Sequence, residues 1–225
     1  MPLPVEIFVN DLNRELEPLR AKIIASSYAR TWIEGSLNMG QVIFIMQQLY
    51  AYLREIPTIV AAWINCCPDS DSRWRYIQYL HEEAPHPEWI VDFAKEIGRG
   101  PEIMHRAELI PEFGMIPYYY YWLSRGHIVE IAAANNFASE GTNPHFYPQM
   151  AEAAKRFYGG SPSLVKFFSE HGEQDSDHSM LGDYMLRKYA ITDELQRKAR
   201  RAAIQALQIK ILAYDALYRE IEKLR

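Results

Sequence analysis

The sequence predicts an all-α protein, a single domain over residues 1–225 built as a bundle of broken and kinked helices. Three observations carry this. Apolar residues recur at the helical period in nearly every segment, and no useful length alternates with the period of a strand. Serine, threonine, proline and glycine also stand where helices start and stop.

Residues 5–33 form the first amphipathic stretch (Ile7, Leu12, Leu16, Leu19, Ile23, Ile24), which Gly35 is placed to end. Residues 38–65 are strongly apolar and interrupted at Pro57, whose ring and missing N–H oppose a continuous helix. "DSRWRYIQYLHEE" makes a third helix, and "HPEWIVDFAKEIG" a fourth with Pro87 in its first turn and Gly98 at its end. The segment from Ile103 to Pro117 reads as irregular, and "YYYYWLSRGHIVEIAAANNFASE" as long and mostly helical despite Gly126. "SPSLVKFFSEHGEQDSDHSMLGDYMLRKYA" opens with Ser161 as N-cap and Pro162 in the first helical position. A last helix runs from about Asp193 to the C-terminus behind Thr192.

A hydrophobic content of 48% with 13% aromatics is enough for a real core and excludes a disordered chain. The net charge of -5 leaves no excess of basic residues to neutralise phosphates, which argues against a nucleic-acid or anionic-membrane partner. No apolar run approaches the ~20 residues that span a bilayer. The N-terminal stretch carries acids where a secretory signal needs basic residues, so a cytoplasmic location is expected. Cys66 and Cys67 are adjacent, which disfavours a disulfide, and they match no zinc spacing.

The chemistry concentrates in "EHGEQDSDHSML". On a helix His171, Asp175 and His178 stand at i, i+4 and i+7 on one face, while Glu173, Gln174 and Asp177 point elsewhere toward water. Two imidazoles and a carboxylate on one side suit iron, manganese or zinc. "YLHEEAPHPEW" adds Glu82, Glu83 and His86 at a junction where Pro85 opposes continuous helix. Glu140 ends a stretch of small and apolar residues (Ala132, Ala133, Phe137, Ala138), and a buried unpaired carboxylate is costly unless a cation satisfies it. Taken singly, each stretch also reads as a solvated acidic surface. Together they offer His86, His171 and His178 with Glu140, Asp175 and one of Glu82 or Glu83. That donor set suits two irons with open positions, whereas structural zinc is closed by four ligands rich in cysteine.

These residues resemble the heme-oxygenase-like di-iron oxidase and oxygenase superfamily. The resemblance covers most of the chain and rests on Glu82 before His86, on Glu140, and on the His171-x-x-x-Asp175-x-x-His178 helix, in the family's order. "EEAPHPEWIVDFAKEIG" is similar to the family's pattern but two residues shorter between glutamate and histidine. Glu82 is favoured as the ligand, with Glu83 as the alternative. The resemblance implies a seven-helix, heme-oxygenase-like bundle with kinked helices and two ferrous ions inside, or manganese at one position. It further implies Glu82, His86, Glu140, His171, Asp175 and His178 as metal ligands and dioxygen as co-substrate. The implied activity is a non-heme di-iron oxygenase or oxidase acting on a small amino-acid-like metabolite, by N-oxygenation, C–C cleavage or nitrile formation.

Related branches need residues that this chain places differently. A heme oxygenase needs a histidine on its first helix, but the first here is His81; a thiaminase-like relative needs a pocket cysteine, but Cys66 and Cys67 fall at a helix end. In the branch that includes the para-aminobenzoate-forming chlamydial protein, Tyr28 matches the tyrosine that enzyme sacrifices. The lysine expected ten residues after Glu140 is Met150, however, and a further pocket tyrosine is Ile45. Substrate-pocket candidates are Tyr28, Tyr120 among the tyrosines of 118–121, Phe137, and Arg125 as a carboxylate anchor. The competing readings are a helical interaction protein or a para-aminobenzoate-synthase-like protein with a structural or degenerate metal site. The first of these uses the apolar stripe Ile204, Leu207, Ile211, Leu212, Leu217 and Ile221, offered to a partner or to a second copy in a homodimer.

Overall fold

Caps and prolines divide the chain into twelve α-helices, seen in a computed structural model that describes residues 1–225 and contains no strand. The first amphipathic stretch is split, because Ser26 accepts the Ala29 N–H and starts a new helix. It yields α1 (Val5–Ile24) and α2 (Ser27–Ile33), and Gly35 closes α2 at a φ of 72°, where a side chain would be strained. An Asn38–Gln41 capping box opens α3 (Met39–Leu53). Pro57 lies in the first turn of α4 (Ile56–Ile64), where its missing N–H has no helical partner to lose. Asp69 caps α5 (Ser70–Glu83), and α6 (His86–Glu96) starts across the break at Ala84 and Pro85.

Two expectations fail between residues 102 and 139. The supposedly irregular stretch holds α7 (Glu102–His105) and the start of α8 (Pro111–Leu123). Pro111 takes the first turn, and Pro117 sits inside the helix at the loss of one backbone hydrogen bond. The long helix expected over 118–140 stops at Leu123 and restarts as α9 (Ile128–Ile131) under a His127–Glu130 capping box. From Ala132 to Ser139 the backbone then widens into a π-helix, and Glu140–His145 tightens into a 3-10 turn. Helices α10 (Tyr147–Phe157), α11 (Pro162–Tyr189) and α12 (Asp193–Glu222) complete the chain, with Ser161 and Thr192 capping the last two as expected. The expected seven-helix bundle is thus cut at its kinks into shorter pieces.

Helices α11 and α12 flank the π-helical segment and bury it between them. On α12, Leu207, Leu217 and Ile221 are buried, Ile204 and Ile211 are half-buried, and Leu212 is exposed. The stripe that could have met a partner therefore packs into the bundle. No helix is long and apolar enough to cross a membrane.

The tightest crossing is at Gly182, where α11 meets the π-helix backbone to backbone. A Cβ there would stand 2.5 Å from the Phe137 nitrogen and 2.9 Å from its Cα. Backbone cannot swing aside as a side chain can, so Gly182→Ala should lower unfolding stability by about 1–3 kcal/mol in denaturant titrations. Asp177→Ala, on the exposed side of the same helix, should change it by less than about 0.5 kcal/mol.

Candidate metal centre

Four pieces of backbone deliver the polar cluster. The end of α5 brings Glu83, the start of α6 brings His86, the turn after the π-helix brings Glu140, and α11 brings His171, Asp175 and His178. None of these six is more than 8% exposed. Donor atoms of Glu83, His86 and His171 lie within 4.8 Å of one another, as do those of Glu83, Glu140 and His178. Glu83 belongs to both groups. Asp175 Oδ1 lies 3.5 Å from His178 Nδ1, beside the second.

Each histidine spends one ring nitrogen outward. His86 Nε2 donates to Gln174 Oε1 at 3.1 Å, His171 Nδ1 to the Phe167 carbonyl at 2.7 Å, and His178 Nε2 to Glu82 Oε2 at 3.0 Å. The opposite nitrogens, His86 Nδ1, His171 Nε2 and His178 Nδ1, are buried without a hydrogen-bond partner. They turn instead toward the carboxylates, His86 Nδ1 at 3.1 Å from Glu83 Oε2 and His178 Nδ1 at 3.4 Å from Glu83 Oε1. A lone pair facing a carboxylate is repulsive unless a proton or a metal ion lies between them. An imidazole whose outer N–H is held and whose inner lone pair is free is the usual form of a metal ligand. The donor set therefore fits a mixed nitrogen and oxygen metal site.

Protonation follows the same geometry. Burial pushes His86 down to about 4 and lowers His171, which keeps both rings neutral. Burial also lowers His178, but Glu140, Asp175 and Glu83 outweigh it and hold the ring up at about 10. Burial raises the carboxyls of Glu83 and Glu140. In the metal-free protein the centre thus keeps a proton on His178 where an ion would stand.

Glu82 and Glu83 exchange the places expected of them. Adjacent residues on a helix diverge by about 100°, so only one can face inward. Glu83 does, while Glu82 stays half-exposed at the rim and orients His178 from outside. Gln174, expected to face water, is half-buried and holds His86 instead; Glu173 and Asp177 are exposed as expected.

A second set of side chains, unforeseen from the sequence, holds the carboxylates. Asn136 Nδ2 donates to Glu140 Oε2 at 2.8 Å and the Tyr79 hydroxyl to Oε1. Asn143 Nδ2 donates to Asp175 Oδ2 at 2.7 Å, and its Oδ1 accepts from Lys210 Nζ at 2.7 Å. The pair Asn135–Asn136 within a small-residue stretch was the one available hint; an amide in a buried run needs a partner.

A cavity of about 60 Å³ opens beside the cluster, walled by Leu53, Phe113, Ile116, Tyr147 and Tyr214. The pocket residues expected from sequence lie outside this lining. Tyr28 stands edge-on to Tyr214 at 4.8 Å, one layer behind the wall, and Tyr120 packs on Trp63 at 5.9 Å. The Phe137 ring lies 5.6 Å from the Arg20 guanidinium on the far side of the π-helix, and Arg125 is exposed beyond the end of α8. Consecutive tyrosines sample all sides of a helix, so Tyr118 and Tyr121 end in water.

A family model described as an iron-containing redox enzyme matches residues 44–210. Among solved structures, a domain of unknown function with a heme oxygenase-like fold from Shewanella denitrificans has a TM-score of 0.82. It is 18% identical, and the match covers 95% of this chain and 93% of that one. A TenA homolog from Pseudomonas syringae pv. tomato has a TM-score of 0.80 at 14% identity, covering 94% of this chain and 93% of its own. A CADD-like protein of unknown function from Nostoc punctiforme has 0.73 at 14% identity, covering 94% and 97%. At such identities the likeness is one of fold. No curated protein matches the sequence.

Metal binding should release protons, because an ion must displace the one held on His178. A protonated ligand competes with metal, so affinity rises with pH. Calorimetric zinc titrations between about pH 6 and 8 should show tightening affinity and at least one proton released per chain, more at the acid end where the raised carboxyls of Glu83 and Glu140 also carry protons.

Proposed function

The chain belongs to the family of iron-containing redox enzymes with a heme-oxygenase-like fold, and from that membership we propose a non-heme di-iron oxygenase or oxidase. It uses dioxygen to oxidise or cleave a small amino-acid-like metabolite. The observation that carries this reading is the set of three unpartnered imidazole nitrogens turned toward three buried carboxylates. The two donor groups, which have Glu83 in common, would hold two ions. His86 and His171 would hold the first, and Glu140 and His178 the second with Asp175 adjoining.

Bound ferrous iron would supply the electrons and open coordination positions that dioxygen activation requires. The chain's own residues do the rest. Gln174, the Phe167 carbonyl and Glu82 fix the imidazole orientations, which raises their basicity toward the ions. Asn136 and Tyr79 hold Glu140, and the Tyr79 hydroxyl keeps a proton at Glu140 Oε1. Leu53, Phe113 and Ile116 exclude water on the cavity side. The limited volume favours a small substrate. A thiaminase-like reaction lacks its nucleophile, since the cavity lining contains no cysteine and Cys66 donates to the Ser124 carbonyl at 2.9 Å.

Protein loaded anaerobically with ferrous iron should retain about two irons per chain and consume oxygen with one or more amino acids in a mass-spectrometric screen. His171→Ala, His178→Ala and Glu83→Gln should each lose iron. Glu82→Gln should keep it with affinity weakened about 10–100-fold, as for an outer partner of a ligand. Equal iron loss in the Glu82 and Glu83 variants, or no iron uptake by the wild type, would contradict the assignment.

A further inference from the structure

Lys210 is the one lysine or arginine in the cavity lining, and it is 7% exposed. Its ammonium reaches Asn143 Oδ1 at 2.7 Å, the Ser139 carbonyl at 3.2 Å and Ser139 Oγ at 3.3 Å. All three acceptors are neutral. Other lysines that engage charge here, Lys95, Lys188, Lys198 and Lys223, do so with carboxylates near the surface. The deepest cation of the cavity has no such partner. Burying an ammonium among neutral groups is costly, and burial pushes Lys210 down to about 8, so its charge is held only where another charge answers it.

The nearest answering charge is Asp175, one amide away. Asn143 accepts from Lys210 through its oxygen and donates to Asp175 through its nitrogen. That field supports the ammonium while the carboxylates are bare. Divalent ions in the centre cancel the carboxylate charge, and the ammonium then has neutral company alone. Along the remaining wall the cavity is apolar, with Leu53, Ile56, Phe113 and Ile116.

We infer that Lys210 anchors the carboxylate of the amino-acid-like substrate, with the apolar wall taking its side chain, so that the site selects a carboxylate over its uncharged analogue. The inference rests on the di-iron reading above and names the feature by which that site recognises its substrate. A carboxylate seated on Lys210 replaces the two long bonds to Ser139 with a charge-assisted one. It also lies one asparagine from Asp175, which sets the neighbouring carbons against the metal ligands. The role assigned from sequence to Arg125 thus falls to Lys210, since Arg125 points into solvent.

The test is direct binding to iron-loaded protein kept anaerobic, so that nothing turns over. Valerate and the isosteric, uncharged valeramide are titrated calorimetrically, and iron content is measured in the same samples. Wild type should prefer valerate by about tenfold or more. Lys210→Met and Lys210→Gln should erase the preference with iron retained, and Lys210→Arg should keep it. Should the methionine variant fail to fold, the glutamine variant, which keeps the polar contacts, decides. A preference that persists without the charge means the carboxylate rides on iron alone and overturns the assignment. So does its absence in iron-loaded wild type. Iron loss in both neutral variants overturns it as well, because Lys210 then serves Asp175 and not a ligand. Wild type that takes up no iron fails the di-iron reading itself.

Discussion

Three imidazole nitrogens without a hydrogen-bond partner face three buried carboxylates at the centre of this bundle, at separations of 3.1 Å between His86 and Glu83 and 3.4 to 3.8 Å around His178. Groups of like polarity stay so close only when positive charge is placed among them. A proton on His178 and the raised carboxyls of Glu83 and Glu140 meet part of the requirement, and the proposed metal ions would meet the rest. The outward contacts of the centre follow from this constraint. Each ring hands its other N–H to an acceptor, which leaves the inner nitrogen free. Glu140 takes a donor on each oxygen, from Asn136 and from Tyr79, and Asp175 takes one from Asn143, which fixes both carboxylates in place.

The fold holds the donors by breaking helices beside them. Glu83 and His86 are three residues apart, yet the stop at Ala84 and Pro85 places them on two helices that both aim inward. The widened π-helix before Glu140 presents Asn135, Asn136 and Glu140 to the same interior. Gly182 lets α11 press on that segment, so the helix with three donors and the turn with one are fixed relative to each other. The buried Arg20 braces the π-helix from the other side by donating to the Phe137 carbonyl at 2.8 Å.

What could be read from sequence divides along physical lines. The shared buried face of His171, Asp175 and His178 on α11 was legible because an i, i+4, i+7 pattern survives any small error in helix ends, and Ser161 and Pro162 mark the start plainly. Glu82 and Glu83 were not separable, because the phase of a helix at its last residue depends on the break that follows it. The π-helix was invisible, since small and apolar residues satisfy a wide winding as readily as a narrow one. Asn143 ligates nothing and carries no spacing signal. Lys210 was legible in principle, for it occupies the register of Leu207, Tyr214 and Leu217 on the buried face of α12. A lysine is ordinarily read as surface, which hides this one from a reading by pattern.

Anomalous diffraction at the iron edge from crystals of anaerobically loaded protein tests most directly where ions bind. The account predicts two iron peaks on either side of Glu83, one bounded by His86 and His171 and the other by Glu140 and His178. No peak among these residues, or a single ion held through Glu82 with Glu83 turned away, would contradict it.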